Sequence, residues 1–148
     1  MLAVIALGGA VGSSARYLVG LLVPTHPGAF DWATFAVNTS GCLLLGAFMT
    51  FATEVWRPHK HVRPFLGVGV LGGYTTFSTV TAGTLGLAEH GDLVLANSYL
   101  VDTMLAGLMA VWFGAILARL VSRRPIRRSR RHHRAERSVD AATHGGQR

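Results

Sequence analysis

Charge is distributed along this chain in blocks, and the gaps between the blocks have the length of a membrane-crossing helix. No Asp, Glu, Lys or Arg occurs between Asp31 and Glu54, or between Arg63 and Glu89. The stretch before Asp31 holds only Arg16, and the stretch from Asp92 to Arg119 holds only Asp102. A helix needs about 20 mostly apolar residues to cross the hydrocarbon core of a bilayer. The pattern therefore predicts an all-α membrane protein with four spans, at about Leu2–Val23, Trp32–Thr53, Pro64–Ala88 and Leu93–Leu120. Only 14% of the residues are charged, against about a quarter in a soluble domain. Residues 1–120 form one four-span domain, and 121–148 form a basic tail expected to be disordered and cytoplasmic. Met1–Val23 lacks a basic segment before its apolar run, so it is read as a retained first span rather than a leader. Trp32, Trp56 and Trp112 stand near span ends, where aromatic belts form.

The segments between the spans alternate in charge. The first carries Asp31 with no Lys or Arg, the second Arg57, Lys60 and Arg63, and the third Glu89 and Asp92 with no Lys or Arg. Four spans put the second linker on the same side as both termini, and that side collects every basic residue except Arg16 among the 14 in the chain. The positive-inside rule then places both termini in the cytoplasm of a cell-membrane protein. The tail from Arg123 to Arg137 has no apolar stripe, so it is read as a solvated anchor against anionic lipid. Charge alone would also suit nucleic acid, but no nucleic-acid partner is expected. His132, His133 and His144 lack the companions that a tetrahedral metal site requires.

Several residues break the pattern of a plain span. Gly72-Gly73 followed by Thr75, Thr76, Ser78, Thr79 and Thr81 is poor helix material in mid-bilayer. Two readings stay open. Either the hydroxyls bond back to the preceding turn of an ordinary helix, or the helix breaks and presents backbone groups to a cavity. Asn38 sits two turns into the second span, as an interhelical hydrogen bond or as a functional donor. Arg16 and Asp102 are ionisable groups inside spans, which are expensive there and candidates for function. Arg16 could bond helix-end carbonyls, and Asp102 could pair with Arg16 or with a neighbouring hydroxyl. Cys42, the single cysteine, is read as packing.

Four segments carry a family resemblance. They are Gly8-Gly9-Ala10-Val11-Gly12 leading to Arg16-Tyr17, Val37-Asn38-Thr39-Ser40-Gly41, Gly72-Gly73-Tyr74-Thr75-Thr76-Phe77-Ser78-Thr79, and Gly107 to Gly114. In their order and spacing, over residues 1–120, the chain resembles the fluoride-channel (Fluc, or CrcB) family. The resemblance implies a passive fluoride channel in which two four-helix subunits with a broken third helix pack as an antiparallel dimer. It also implies a structural sodium ion, Na+, held by backbone carbonyls that fall here on Gly72 and Thr75. Fluoride-binding positions carried over by motif are Asn38, Phe77, Ser78 and Thr79, with Tyr99 and Thr103 on the fourth span. Arg16 would act electrostatically at a vestibule or structurally.

One position departs from the family pattern. Where the signature usually carries a second Phe, this chain has Val80, so one donor edge of the pore lining is missing. The charge bias also opposes insertion in both orientations, which implies a heterodimer with an inverted paralogue. Two rivals follow from the residues: a non-conducting partner or scaffold subunit, and a small proton-coupled exporter with Asp102 as its only candidate relay. No nucleophile–base pair, metal cluster or phosphate loop suggests an enzyme.

Overall fold

The computed structural model describes residues 1–26, 28–54 and 61–144. The linker residues Trp56, Arg57 and Lys60 lie outside them, as does Arg148. The described residues are mostly helical, joined by turns and short irregular stretches, with no strand among them. Three helices are long and apolar enough to cross a membrane: α1 (Leu2–Leu22), α2 (Trp32–Glu54) and the Leu93–Ser122 part of a longer helix. That longer helix, α5 (Leu93–His144), carries helical backbone through the stretch expected above to be disordered.

The third apolar segment is built differently. It begins at Pro64, which is pre-set for a first helical turn, and runs as a π-helix over Pro64–Leu71. A short α-helix, α3 (Gly72–Tyr74), follows. Thr75 (φ −75°, ψ 156°) and Thr76 (φ −150°, ψ 124°) are then extended. Helix α4 (Phe77–Glu89) resumes behind them. None of these pieces alone is long enough to span a bilayer, which is why three candidate spans stand where the hydropathy pattern predicts four.

Small residues decide how the helices meet. Helix α1 packs on the π-helical segment and α3, while α2 packs along α5. A Cβ on Gly12 would run into the Val70 carbonyl, and one on Gly46 into the Val111 carbonyl. Backbones can approach this closely in a membrane protein only where a side chain is absent. At one end of the bundle the Glu54 carboxylate accepts from Arg119 Nε at 2.9 Å, and Arg63 donates to the Ala52 carbonyl.

The most deeply buried cluster joins α4 to α5 through Val80, Leu87, Ala96 and Tyr99. Phe30 meets the Tyr99 ring edge-on at 4.9 Å. Much of the remaining helix surface is apolar and exposed, including Leu18, Leu105, Leu108 and Trp112. Such a surface suits lipid or another membrane chain rather than water.

Candidate functional site

The interruption at Thr75–Thr76 organises everything around it. Residue 76 caps α4, with Thr76 Oγ1 accepting from the Thr79 N–H at 3.2 Å. Capping of this kind satisfies a backbone donor that the first turn leaves orphaned. The backbone of Thr76 itself is claimed from α2. Its N–H donates to Asn38 Oδ1 at 2.8 Å, and Asn38 Nδ2 donates to its carbonyl at 2.9 Å. An unbroken helix would give that N–H to the Gly72 carbonyl, so the Asn38 side chain replaces a rung of the ladder. Two further carbonyls beside the interruption are met from α1. Ser13 Oγ donates to Gly73 O at 3.4 Å, and Arg16 Nη1 donates to Thr75 O at 3.2 Å.

Two cavities flank Thr76. One, of about 300 Å³, is bordered by Asn38, Cys42, Thr75, Thr76, Phe77 and Thr103. The other, of about 360 Å³, is bordered by Arg16, Asp31, Thr34, Thr76 and Thr79. Asp31 is already well supplied: it accepts from Thr25 Oγ1 and the Thr34 N–H on one oxygen and from Thr34 Oγ1 on the other. The first cavity has a different character. Asn38 is only 8% exposed, and its Oδ1 is fixed on an N–H, which settles which way the amide faces. One Nδ2–H is spent on the Thr76 carbonyl, and the other has no partner among the described residues. Phe77, by contrast, is largely exposed at the rim.

The residues singled out from sequence are therefore partly gathered and partly dispersed. Asn38, Phe77 and Thr103 share the first cavity, while Thr79 and Arg16 share the second. Ser78 and Thr79 join through Thr76, whose hydroxyl oxygen lies 3.2 Å from Ser78 Oγ and 3.0 Å from Thr79 Oγ1. Thr103 turns its hydroxyl back along α5 to donate to the Tyr99 carbonyl at 2.6 Å. Tyr99 lines neither cavity: it is wholly buried against Val80, and its hydroxyl has no hydrogen-bond partner among the described residues, although Thr34 and Asp31 stand near it. Val80 is also wholly buried, so position 80 faces this core rather than either cavity. Arg16 does not pair with Asp102. Its partner is the Thr75 carbonyl, and Asp102 is exposed on α5.

The carbonyls of Gly72 and Thr75 present oxygen, the donor type a hard cation takes. The Gly72 carbonyl has lost its usual donor to Asn38. The Thr75 carbonyl has one lone pair engaged by Arg16. Both oxygens are of the type an alkali cation takes, while the Arg16 guanidinium stands as a like-charged neighbour of the Thr75 carbonyl. Among the described residues no group of three or more His, Cys, Asp or Glu side chains gathers around a metal site. Thr76 is the residue that sequence reasoning missed. Its signal is a Thr three residues before Thr79 at a helix start, the spacing of an N-cap.

A sequence profile described as CrcB-like protein, Camphor Resistance (CrcB), matches residues 3–115, well over half of the chain. The chain belongs to the CrcB-like family. Among its CrcB-like relatives, Fluoride-specific ion channel FluC 1 of Streptomyces coelicolor is 50% identical over 121 residues, which is 82% of this chain and 79% of that one. Fluoride-specific ion channel FluC 2 of Nocardia farcinica is 46% identical over 119 residues, covering 80% and 85% of the two chains. Fluoride-specific ion channel FluC of Solibacter usitatus is 45% identical over 116 residues, covering 78% and 95%. The CrcB-like match embraces α1, α2, the interrupted segment and α5 as far as residue 115.

Proposed function

We propose that this CrcB-like chain is a subunit of a fluoride-specific channel that lets fluoride leave the cytoplasm passively and so relieves its toxicity. Its relatives' names support that substrate. The observation that carries the reading is the Asn38 amide, clamped on Thr76 with one N–H left over beside the exposed ring of Phe77. Fluoride holds water tightly, so a pore must offer donors in its place. An oriented amide N–H supplies one, the positive edge of an aromatic ring supplies another, and the hydroxyls of Ser78, Thr79 and Thr103 supply more once they turn from their resting partners. Tyr99 contributes from behind this wall, by holding α5 against α4. A membrane potential negative inside drives the anion outward without nucleotide or proton coupling.

The third crossing in this reading is a helix broken at Thr75–Thr76, buried against α1 and α2 so that its freed backbone groups are met by protein. Both termini lie in the cytoplasm, following the basic residues. The exposed rim at Phe77, Leu108 and Met104 is covered by a second subunit packed antiparallel. Because the basic residues favour one orientation, that subunit is an inverted paralogue. The carbonyls of Gly72 and Thr75 would hold a structural Na+, which would supply fixed positive charge there.

The alternative, a non-conducting partner subunit, draws no support from Val80, which is buried against Tyr99 and borders neither cavity. The deciding experiment is fluoride efflux from liposomes, with valinomycin and potassium setting the voltage, for this protein alone and mixed with an inverted paralogue. Fluoride efflux without chloride efflux supports the channel, and silence of the folded protein in both preparations overturns it. Flux from the protein alone removes the need for a heterodimer.

A further inference from the structure

We infer that Thr76 is the positioning residue that gives the channel its preference for fluoride, by aiming the donors on both sides of the interruption. The inference rests on the channel reading above. Thr76 borders both cavities, and no other residue is common to their walls. Its backbone faces Asn38. By offering an N–H to Oδ1 and a carbonyl to Nδ2, it dictates the orientation of that amide and leaves a single N–H for an anion. Its hydroxyl faces the other way. Thr76 Oγ1 accepts the Thr79 N–H and lies within 3.0–3.2 Å of the hydroxyl oxygens of Thr79 and Ser78.

Three hydroxyls at these distances hold three protons between them. Whichever neighbour donates to Thr76 Oγ1 has no proton left for an anion, while one that accepts from it keeps its own. Thr76 therefore decides how many hydroxyl protons of the cluster remain for an ion. An anion arriving at Thr79 or Ser78 draws a hydroxyl proton toward itself, and Thr76 can turn to compensate without unfolding the cap. The cost of that turn is the same for every ion, but the return differs. A small hard anion gains most from short O–H donors, and a larger one gains less. The residue is 8% exposed and held at both backbone groups, so its donors are aimed before the ion arrives.

The test uses Thr76→Val and Thr76→Ser in the liposome preparation that conducts, with fluoride and chloride fluxes measured side by side. Valine keeps the shape and the backbone pairing to Asn38 and deletes only the hydroxyl; serine restores it. Thr76→Val is expected to lose fluoride flux about tenfold or more, the size of one hydrogen bond to a charged group, and to lower the fluoride-to-chloride ratio. Thr76→Ser is expected to recover both. Thermal melting of each purified variant reports the cap separately: valine lowers the melting temperature and serine restores it. A Thr76→Val channel that keeps the wild-type ratio overturns the inference, whether its total flux falls or not, because a purely structural cap would lower flux without changing preference. Silent wild-type protein in every preparation would instead overturn the channel reading itself.

Discussion

Asn38 on α2 and Thr76 between α3 and α4 hold each other by two hydrogen bonds, side-chain amide to backbone, at 2.9 and 2.8 Å. They are 38 residues apart in sequence. The pair substitutes for the helical rung lost at the interruption, and it leaves one N–H of an amide that borders a cavity without a partner among the described residues. Buried backbone groups are almost always paired, so the interruption at Thr75–Thr76 needs such a partner, and here the partner is also the candidate ion ligand.

Asn38→Asp follows directly. The carboxylate can still accept from the Thr76 N–H, but it cannot donate to the Thr76 carbonyl, and it sets a negative charge where an anion needs a donor. Fluoride flux should vanish in the liposome assay, and the protein should lose about 1–3 kcal/mol of stability, the cost of an unmade buried hydrogen bond. Unchanged flux would remove Asn38 from the ion path.

Thr75→Pro deletes the N–H that Thr75 donates to the Leu71 carbonyl at 3.0 Å, together with the hydroxyl that donates to the same oxygen at 3.1 Å. The end of α3 should loosen, and the carbonyls of Gly72 and Thr75 should lose their alignment. The expected result is a weaker dependence of melting temperature on sodium concentration than in wild type, compared with a bulky organic cation. An intact assembly with normal flux and normal sodium response would argue against a cation at these carbonyls.

Gly12→Ala places a methyl group against the Val70 carbonyl and beside the Tyr74 N–H. Both neighbours are backbone and cannot swing aside. The variant should be destabilised by about 1–3 kcal/mol, the usual cost of overpacking. Gly9→Ala, whose Cβ would meet nothing within 4 Å, should melt like wild type. Equal melting temperatures for the two alanine variants would refute the close approach of α1.

Val80→Phe restores the residue type that resembles the family signature. Position 80 is wholly buried against Tyr99 and Leu87, so the larger ring should strain this core by about 1–3 kcal/mol. Lower stability without a gain in fluoride flux is the expected outcome. A gain in flux at unchanged stability would mean that the ring reaches the ion path, and that the packing described for Val80 is not that of the conducting protein.

The sequence alone determined where the apolar segments lie and which family they belong to. Hydropathy is a sum over neighbours in the chain, so runs nearly free of charge mark α1, α2 and the start of α5 to within a residue of the expected ends, while α5 continues past the expected Leu120 to His144. The Gly72–Thr79 signature likewise needs no coordinates to be read. What the run of glycines and hydroxyls could not say by itself was whether the helix holds or parts, because the answer depends on a donor and acceptor supplied by Asn38 from another helix. Arg16 was legible as a group needing a partner, but only packing chose the Thr75 carbonyl over Asp102. Tyr99 was read by motif as a fluoride-binding position and Val80 as the place where a lining ring is missing, and packing sets both in a common core. The π-helix at Pro64–Leu71 left no mark in the apolar pattern, since its residues are hydrophobic all round. Partners that meet across helices are fixed by the angle and depth at which those helices pack, and glycines such as Gly12 and Gly46 set that depth through contacts that no local pattern contains.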